Sequence, residues 1–215
     1  MGQPVDTDEA SVTPPLSRKR RQTQAKLLDA AMDAFAERGF YGTSVEEVCE
    51  RAGFSRGAFY SNFSTKEELF VALYNRQADR VLATLTDLAP SAGDSLETAL
   101  TELVAAIPQD RRWYLVNTEF ALHAVRDPTA GEAYAAARSR VRASFAARFA
   151  EVVERFDREL TVPLEQLIRW LFAVHDGGLA QSYVERTGAD DITRRVVPLL
   201  VHAVTRPERS GRRPD

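Results

Sequence analysis

The chain has 215 residues, of which 44% are hydrophobic, and its formal net charge at pH 7 is −3. This length suits one large or two small domains, and the apolar content is sufficient for a buried core. The single cysteine, Cys49, excludes a disulfide or a cysteine-based metal cluster within these residues. No segment approaches the ~18 consecutive apolar residues of a membrane-spanning helix, and the acidic N-terminus lacks the pattern of a signal peptide. We therefore expect a cytoplasmic protein with no membrane partner.

The positive charge is concentrated near the N-terminus. Residues 1–17 are acidic and contain prolines, and we expect them to be disordered. Residues 18–66 hold nine basic against six acidic residues, an excess opposite in sign to that of the whole chain. This region begins with the cluster Arg18-Lys19-Arg20-Arg21. Two interpretations stay open for the cluster: an arm on the DNA backbone or in the minor groove, or the solvated start of a helix.

The first predicted helix runs from about Ser17 to Arg38. Gly39 is expected to end it, and Phe35 and Phe40 are expected to pack beneath the next two helices. Its apolar stripe has the three- and four-residue spacing of an amphipathic helix and consists of Leu28, Ala31, Met32 and Phe35.

Two short helices joined by a tight turn are predicted next. Ser44 followed by Glu47 is a capping box, and Gly53 suits the left-handed residue that ends a helix. Ser55 is expected to cap a second helix, from Arg56 to about Asn62. This is the helix-turn-helix pattern, in which the second helix enters the major groove of DNA. A helical hairpin without a nucleic-acid role has the same local pattern.

The residue types around the second helix suit contact with DNA. Arg56 can bond both acceptors of a guanine edge, and Asn62 can read adenine. Gly57 lets the backbone approach the phosphates, and Tyr60 and Lys66 are placed to hold phosphates without reading sequence. The predicted DNA-binding residues are Thr43, Ser44, Ser55, Arg56, Gly57, Tyr60, Ser61, Asn62 and Lys66.

The run from Ala25 to Tyr74 strongly resembles the N-terminal domain of TetR-family transcriptional regulators. The resemblance covers about fifty residues in fixed order and disfavours the simple hairpin. It departs from the family at Asn62, where His or Tyr often precedes the Phe. The matching positions are Ala30-Ala31, Phe35, Gly39-Phe40, Thr43, Val48, Ala52-Gly53, Ser55-Arg56-Gly57, Phe59-Tyr60, Phe63, Lys66 and Leu69.

Helical patterns continue to the end of the chain, and no alternation typical of strands is found. A fourth helix is predicted over Lys66–Leu88, long enough to connect two domains, and residues 89–93 are a break. The later helices are predicted to run from Asp94 to about Ile107, from Asp110 to Val125, from a capping box at Thr129 and Glu132 to about Leu160, from Pro163 to Gly188, and from Asp190 or Asp191 to about Thr205, with a bend at Pro198. The predicted fold is thus all-α, with about nine helices.

We divide the chain into four parts: a disordered arm (1–17), a DNA-binding domain (18–66), a helical effector-binding and dimerisation domain (67–206) and a disordered tail (207–215). The family resemblance implies that the C-terminal helices form a homodimer, usually through the last two, and enclose a small-molecule pocket. Gly177-Gly178 lies inside a predicted helix, where each glycine costs ~1 kcal/mol relative to alanine. Three explanations of this glycine pair stay open: close approach of a partner, a kink in the helix, or a ligand on that side.

Aromatic residues spread over the C-terminal helices are candidates for the pocket wall. An ordinary core has the same spacing, so this interpretation competes with simple packing. His123, and His175 with Asp176, are the polar groups best suited to orient a ligand. The residues indicate a hydrophobic or aromatic effector and no metal or other cofactor. The candidates are Trp113, Phe120, His123, Phe145, Phe149, Trp170, Phe172 and His175.

The most consistent function is a ligand-responsive homodimeric repressor that leaves a palindromic operator in double-stranded DNA. A helical enzyme is disfavoured, because no phosphate-binding loop, dinucleotide fingerprint or nucleophile–base pair is found. A DNA-binding protein controlled by a partner protein, or an activator, stays open.

Overall fold

The computed structural model describes residues 17–88, 95–96, 98–99, 107, 109–186 and 190–207. Within these ranges the chain forms eight helices and two short strands: α1 (Arg18–Gly42), α2 (Val45–Ala52), α3 (Arg56–Tyr60), α4 (Lys66–Leu88), α5 (Arg111–Arg126), α6 (Pro128–Arg155), β1 (Arg158–Leu160), α7 (Leu164–Glu185), α8 (Asp190–Ala203) and β2 (Thr205–Pro207). The predicted all-α fold is confirmed. The predicted break at 89–93, most of the helix from Asp94 to Ile107, the arm at 1–16, Gly188 and the tail after Pro207 lie outside the described residues.

The helix α1 supports the helix-turn-helix with the predicted stripe. Its buried residues include Leu28, Ala31, Met32 and Phe35. At Gly39 the backbone leaves helical geometry (φ 76°, ψ 166°), a region that is essentially restricted to glycine. The regular helix therefore breaks where the sequence predicts, although three more residues continue the element.

The predicted caps position α2 and α3. Ser44 Oγ accepts the N–H of Glu47 (3.1 Å), and Ser55 Oγ accepts that of Ala58 (3.2 Å). Gly53 adopts the left-handed conformation (φ 71°) that ends α2. The helix α3 ends at Tyr60, two residues earlier than predicted.

The α1, α4, α5 and α6 helices share one hydrophobic core. Phe70 of α4 stacks on Phe120 of α5, with ring centroids 3.7 Å apart. Phe40 belongs to the same core as Val48 and Phe59 of the short helices, and its ring also contacts Phe120 and Phe70 (centroids 4.9 and 6.3 Å apart). The helix α1 and the C-terminal helices are therefore in direct apolar contact.

Two predicted limits of α6 are wrong. The helix is capped by Asp127, whose Oδ1 accepts the N–H of Ala130 (2.9 Å), with Pro128 in the first turn. An N-terminal Pro preceded by Asp is a stronger start signal than the predicted box at Thr129. The helix ends at Arg155 rather than Leu160, because Asp157 takes a left-handed conformation (φ 51°).

After this turn the chain forms the only two strands of the described residues. β1 and β2 pair antiparallel, with Glu159 opposite Arg206. No strand was predicted, because the partner of this three-residue segment lies 47 residues further along the chain and leaves no local signal.

The last two helices pack on each other. A Cβ on Gly178 would lie 2.9 Å from Thr193 Oγ1 of α8, so this glycine permits close approach of α7 and α8 within one chain. At Gly177 no described atom lies within 4 Å of such a Cβ. The helix α7 begins after Pro163 as predicted, and Pro198 lies inside α8, where the bend stays a prediction. Among the helices in the described ranges, none is long and apolar enough to cross a membrane.

Candidate DNA-binding surface and effector cavity

The exposed side of α3 presents Arg56 and Tyr60. The Arg56 guanidinium lies 5.8 Å from the centre of the Tyr60 ring and forms an ion pair with Glu46 of α2 (2.8 Å). Both partners of this pair are more than half exposed, and exposed pairs contribute little free energy. The pair therefore holds Arg56 on the surface without preventing it from exchanging Glu46 for a DNA acceptor.

Small residues surround Arg56. The hydroxyls of Ser44 and Ser55 accept backbone N–H groups as caps, and each keeps its own proton for a further acceptor. A Cβ on Gly57 would meet only Ser55 Oγ, at 3.7 Å, so the surface is open there. Ser61 Oγ donates to the carbonyl of Gly57 (2.8 Å).

Two predicted DNA-binding residues use their side chains in hydrogen bonds within the protein. Thr43 is 2% exposed, and its hydroxyl lies 2.8 Å from Gly39 O and 3.1 Å from Ala34 O. Asn62 donates through Nδ2 to Ala58 O (2.8 Å) and accepts from Arg20 Nε at 3.4 Å. These side chains stabilise the local structure of the motif, because short polar side chains readily bond nearby backbone groups.

Lys66 holds the start of α4 against the end of α1. Its Nζ donates to Phe40 O (2.7 Å) and Thr43 O (2.8 Å) and lies 4.4 Å from the centre of the Phe40 ring. Partial burial lowers the pKa of the Lys66 ammonium. Of its three N–H groups, one remains for the predicted phosphate contact.

The basic cluster at the start of α1 is exposed, and one member is tied to the motif. Arg20 Nη2 donates to Ser61 O (3.2 Å), at the C-terminal end of α3. This contact places the first turn of α1 beside the predicted reading helix.

Polar contacts join α1 to α5. Glu119 Oε2 accepts the N–H of Phe40 (2.8 Å), and His123 Nδ1 lies 2.9 Å from the Tyr41 hydroxyl. Nearer the start of α5, Arg112 forms an ion pair with Asp33 of α1 (2.6 Å). A displacement of α5 therefore acts directly on α1 at two places, Asp33 and the segment Phe40–Tyr41.

The C-terminal helices enclose a cavity of ≈ 680 Å³, lined by residues from α4 to α8. This volume is within the range of small-molecule sites. Five of the eight predicted effector residues line it: Trp113, Phe145, Phe149, Phe172 and His175.

The other three predicted effector residues lie elsewhere. Phe120 is fully buried in the shared core, His123 contacts Tyr41, and Trp170 packs in the separate core of α6–α8. On α5, Trp113, Asn117 and Ala121 line the cavity, whereas Phe120 and His123 contact Phe40 and Tyr41 of α1. Aromatic residue type alone does not distinguish these surroundings.

Sequence reasoning did not select Arg138, which lines the cavity and binds Asp176 (2.9 Å). A signal was present, because Arg138 interrupts an apolar helical stripe between Tyr134 and Val141. A charged residue on such a face requires a partner or a ligand.

No group of three or more His, Cys, Asp or Glu side chains in the described part of the chain is placed to hold a metal ion.

The capped α2–turn–α3 unit, with an exposed arginine and a neighbouring basic cluster, defines a helix-turn-helix DNA-binding protein. The family model described as "Bacterial regulatory proteins, tetR family" matches residues 27–73. Residues 27–73 of this chain are therefore similar to that family of regulatory proteins.

Similar proteins extend the likeness beyond the N-terminal region. The HTH-type transcriptional repressor AcnR of Corynebacterium efficiens is 27% identical over 190 residues, which are 86% of this chain and 94% of AcnR. The solved structure of Salmonella enterica GusR aligns with a TM-score of 0.66 and 25% identity, over 89% of this chain and 98% of the GusR chain. The fold is also shared with the solved structure of a TetR transcription regulator from Haloarcula marismortui. It aligns with a TM-score of 0.67 and 17% identity, over 86% of this chain and 100% of the other.

Proposed function

We propose that the protein is a homodimeric repressor that binds a palindromic operator and is released when a hydrophobic or aromatic small molecule occupies the cavity. The observation that carries this proposal is the double role of α5. Trp113 and Asn117 line the cavity, whereas Glu119 and His123, on the same helix, contact the end of α1. A ligand that displaces α5 then changes the position of α3.

Repression rather than activation is favoured by the likeness to AcnR, which extends over most of both chains. The HTH-type transcriptional activator FasR of Mycolicibacterium smegmatis is similar over only 64 residues, 30% of this chain. No catalytic role is proposed, and the site of action is the cytoplasm, where the operator would be.

The proposed effector changes the equilibrium between two arrangements of the dimer. It must bind more tightly to the arrangement in which the two α3 helices no longer match half-sites about one DNA turn apart. A differential affinity of ~1–3 kcal/mol is typical of such coupling.

The dimer is proposed to form through α7 and α8. Val184 of α7 and Leu199 of α8 are 82% and 70% exposed in the single chain. Large apolar side chains exposed on adjacent helices suit a contact with a second copy. Gly177, which no described atom approaches, lies on α7 and leaves room for a partner helix.

Selection of binding sites from a random duplex pool, at about physiological salt, tests the proposal. We expect a palindrome with two half-sites, bound by two copies of the chain. A reporter that carries this palindrome over its promoter should be repressed, and a reporter with one scrambled half-site is the control. Recovery of no sequence by the folded dimer would contradict an effector-released repressor, and increased expression would indicate an activator.

A further inference from the structure

The charged groups that line the cavity fall into two sets. Arg80, Arg148 and Asp110 belong to exposed residues. Each has a partner: Arg80 donates to Gln77 Oε1 (3.3 Å), Arg148 pairs with Glu151 (2.9 Å), and Asp110 caps α5 (2.8 Å to Arg112 N). Only Arg138 and Asp176 bring opposite charges together within the lining, and the Arg138 side chain is 24% exposed.

Arg138 is the centre of a hydrogen-bonded chain across three helices. Its Nη2 lies 2.9 Å from Asp176 Oδ2, and its Nη1 donates to the Tyr134 hydroxyl at 3.3 Å. That hydroxyl donates in turn to Asn117 Oδ1 (2.8 Å). The positive charge of the guanidinium is thus compensated by a carboxylate of the protein itself.

Two further polar side chains that line the cavity are His175 and Thr193. Burial lowers the pKa of His175, against the smaller opposing effect of Asp176, so the imidazole is neutral at pH 7 and has one donor and one acceptor. Thr193 also lines the cavity, and its buried Oγ1 has no hydrogen-bond partner among the described residues. Groups of this kind match a hydroxyl, carbonyl or amide of a ligand.

We propose that the effector is an uncharged amphiphile, with an alkyl or aryl body along Phe145, Phe149 and Phe172 and a hydroxyl, carbonyl or amide group beside His175 and the Arg138–Asp176 pair. This inference rests on the proposed function, because it specifies the ligand of that same cavity. A carboxylate ligand would compete with Asp176 for one guanidinium, and an amine would add a second cation beside Arg138. A buried charge without a partner is unfavourable in either case.

Direct binding to the purified full-length protein, measured by calorimetry without DNA, tests this inference. The probes are matched triples that differ only in the terminal group. The first triple is 4-phenylbutanol, 4-phenylbutanoate and 4-phenylbutylamine. Two further triples carry the same alcohol, carboxylate and amine groups on a decyl chain and on a naphthylbutyl chain. We expect the alcohol to bind at least about tenfold more tightly than either charged partner in the triples that bind.

Removal of the compensating carboxylate should reverse this preference. Asp176→Asn and Asp176→Ala leave Arg138 without its anion, so the carboxylate probe should gain about tenfold or more relative to the alcohol. The control is Glu165→Gln, which makes the same charge change at an exposed ion pair with Arg169 on α7 that does not line the cavity. This variant should prefer the alcohol over the charged probes to the same extent as the unsubstituted protein.

The outcomes separate this inference from the function on which it rests. Tightest binding of a charged probe to the unsubstituted protein would overturn the uncharged ligand and leave a ligand-responsive regulator intact. An unchanged preference in both Asp176 variants would overturn the role of the ion pair. Absence of binding by every probe of all three triples would contradict the proposed ligand-responsive function as well.

Discussion

At the scale of single residues, two cations that look equivalent in the sequence have different surroundings. Arg56 is held on the surface by Glu46, whereas the Lys66 ammonium is held between two backbone carbonyls of the α1–α2 junction. The sequence predicted both as DNA contacts because residue type and spacing identify the motif. Whether a long side chain turns outward or inward depends on carbonyls such as Phe40 O, 26 residues away, which no local pattern reveals.

Arg56→Ala should remove discrimination at one base pair of the operator by ~1–3 kcal/mol, because a guanidinium bonds two acceptors of one base edge. The measurement is the affinity for the selected palindrome and for its single-base variants. Lys19→Ala, at an exposed position in the basic cluster, is the control and should weaken all sequences alike. Equal weakening of all sequences by Arg56→Ala would show that this residue positions the protein and does not read a base.

Lys66→Ala should lower the free energy of unfolding by about 1–3 kcal/mol, because two backbone carbonyls lose their donor. Denaturant unfolding checks this, with Lys19→Ala expected to have little effect. An unchanged stability together with weaker DNA binding would instead favour the phosphate contact as the main role of Lys66.

At the scale of secondary-structure elements, the junction of α1 with α5 depends on Gly39. Its backbone conformation is strained for any other residue, and a Cβ there would lie 2.5 Å from Glu119 Oε2. A side chain at this position would therefore displace the carboxylate that accepts the Phe40 N–H.

Gly39→Ala should destabilise the protein by about 1–3 kcal/mol through backbone strain, with a further loss from the displaced Glu119. Gly42→Ala is a matched control, since a Cβ there meets only Arg38 Cβ, at an ordinary 3.5 Å. Unfolding curves for the two variants give the comparison, and equal stabilities would contradict the importance of this junction.

Element limits were predictable where a few neighbouring residues determine them. Ser44, Gly53 and Asp110 cap or end helices through contacts within three or four residues. The β1–β2 pair and the surroundings of Phe120 and His123 depend on tertiary contacts, so the strands were not predicted and these two residues were assigned to the cavity. The cavity was predicted in part, because an aromatic side chain has the same spacing whether it faces a core or a ligand.

At the scale of the whole molecule, the proposed dimer makes a separable prediction. Leu199→Asp should convert the protein to a monomer with unchanged helical content, because a buried aspartate would lack a partner at the interface. Analytical ultracentrifugation should show the loss of the dimer, and a binding assay should show weaker binding to the operator. Val125→Asp, at a still more exposed apolar residue of α5 (85%), should remain dimeric, and a dimeric Leu199→Asp variant would place the interface elsewhere.

The shared core also limits how this regulator can be recombined with others. A hybrid joined at residue 66 would keep the DNA-reading helices but separate Phe40 from Phe70 and Phe120, whose rings it contacts across the junction. Such a hybrid retains its intended specificity only if the acceptor protein offers matching aromatic residues at the same places. A sensor designed to use this protein's operator with another protein's effector should therefore transplant the contact face of α5 together with the N-terminal helices.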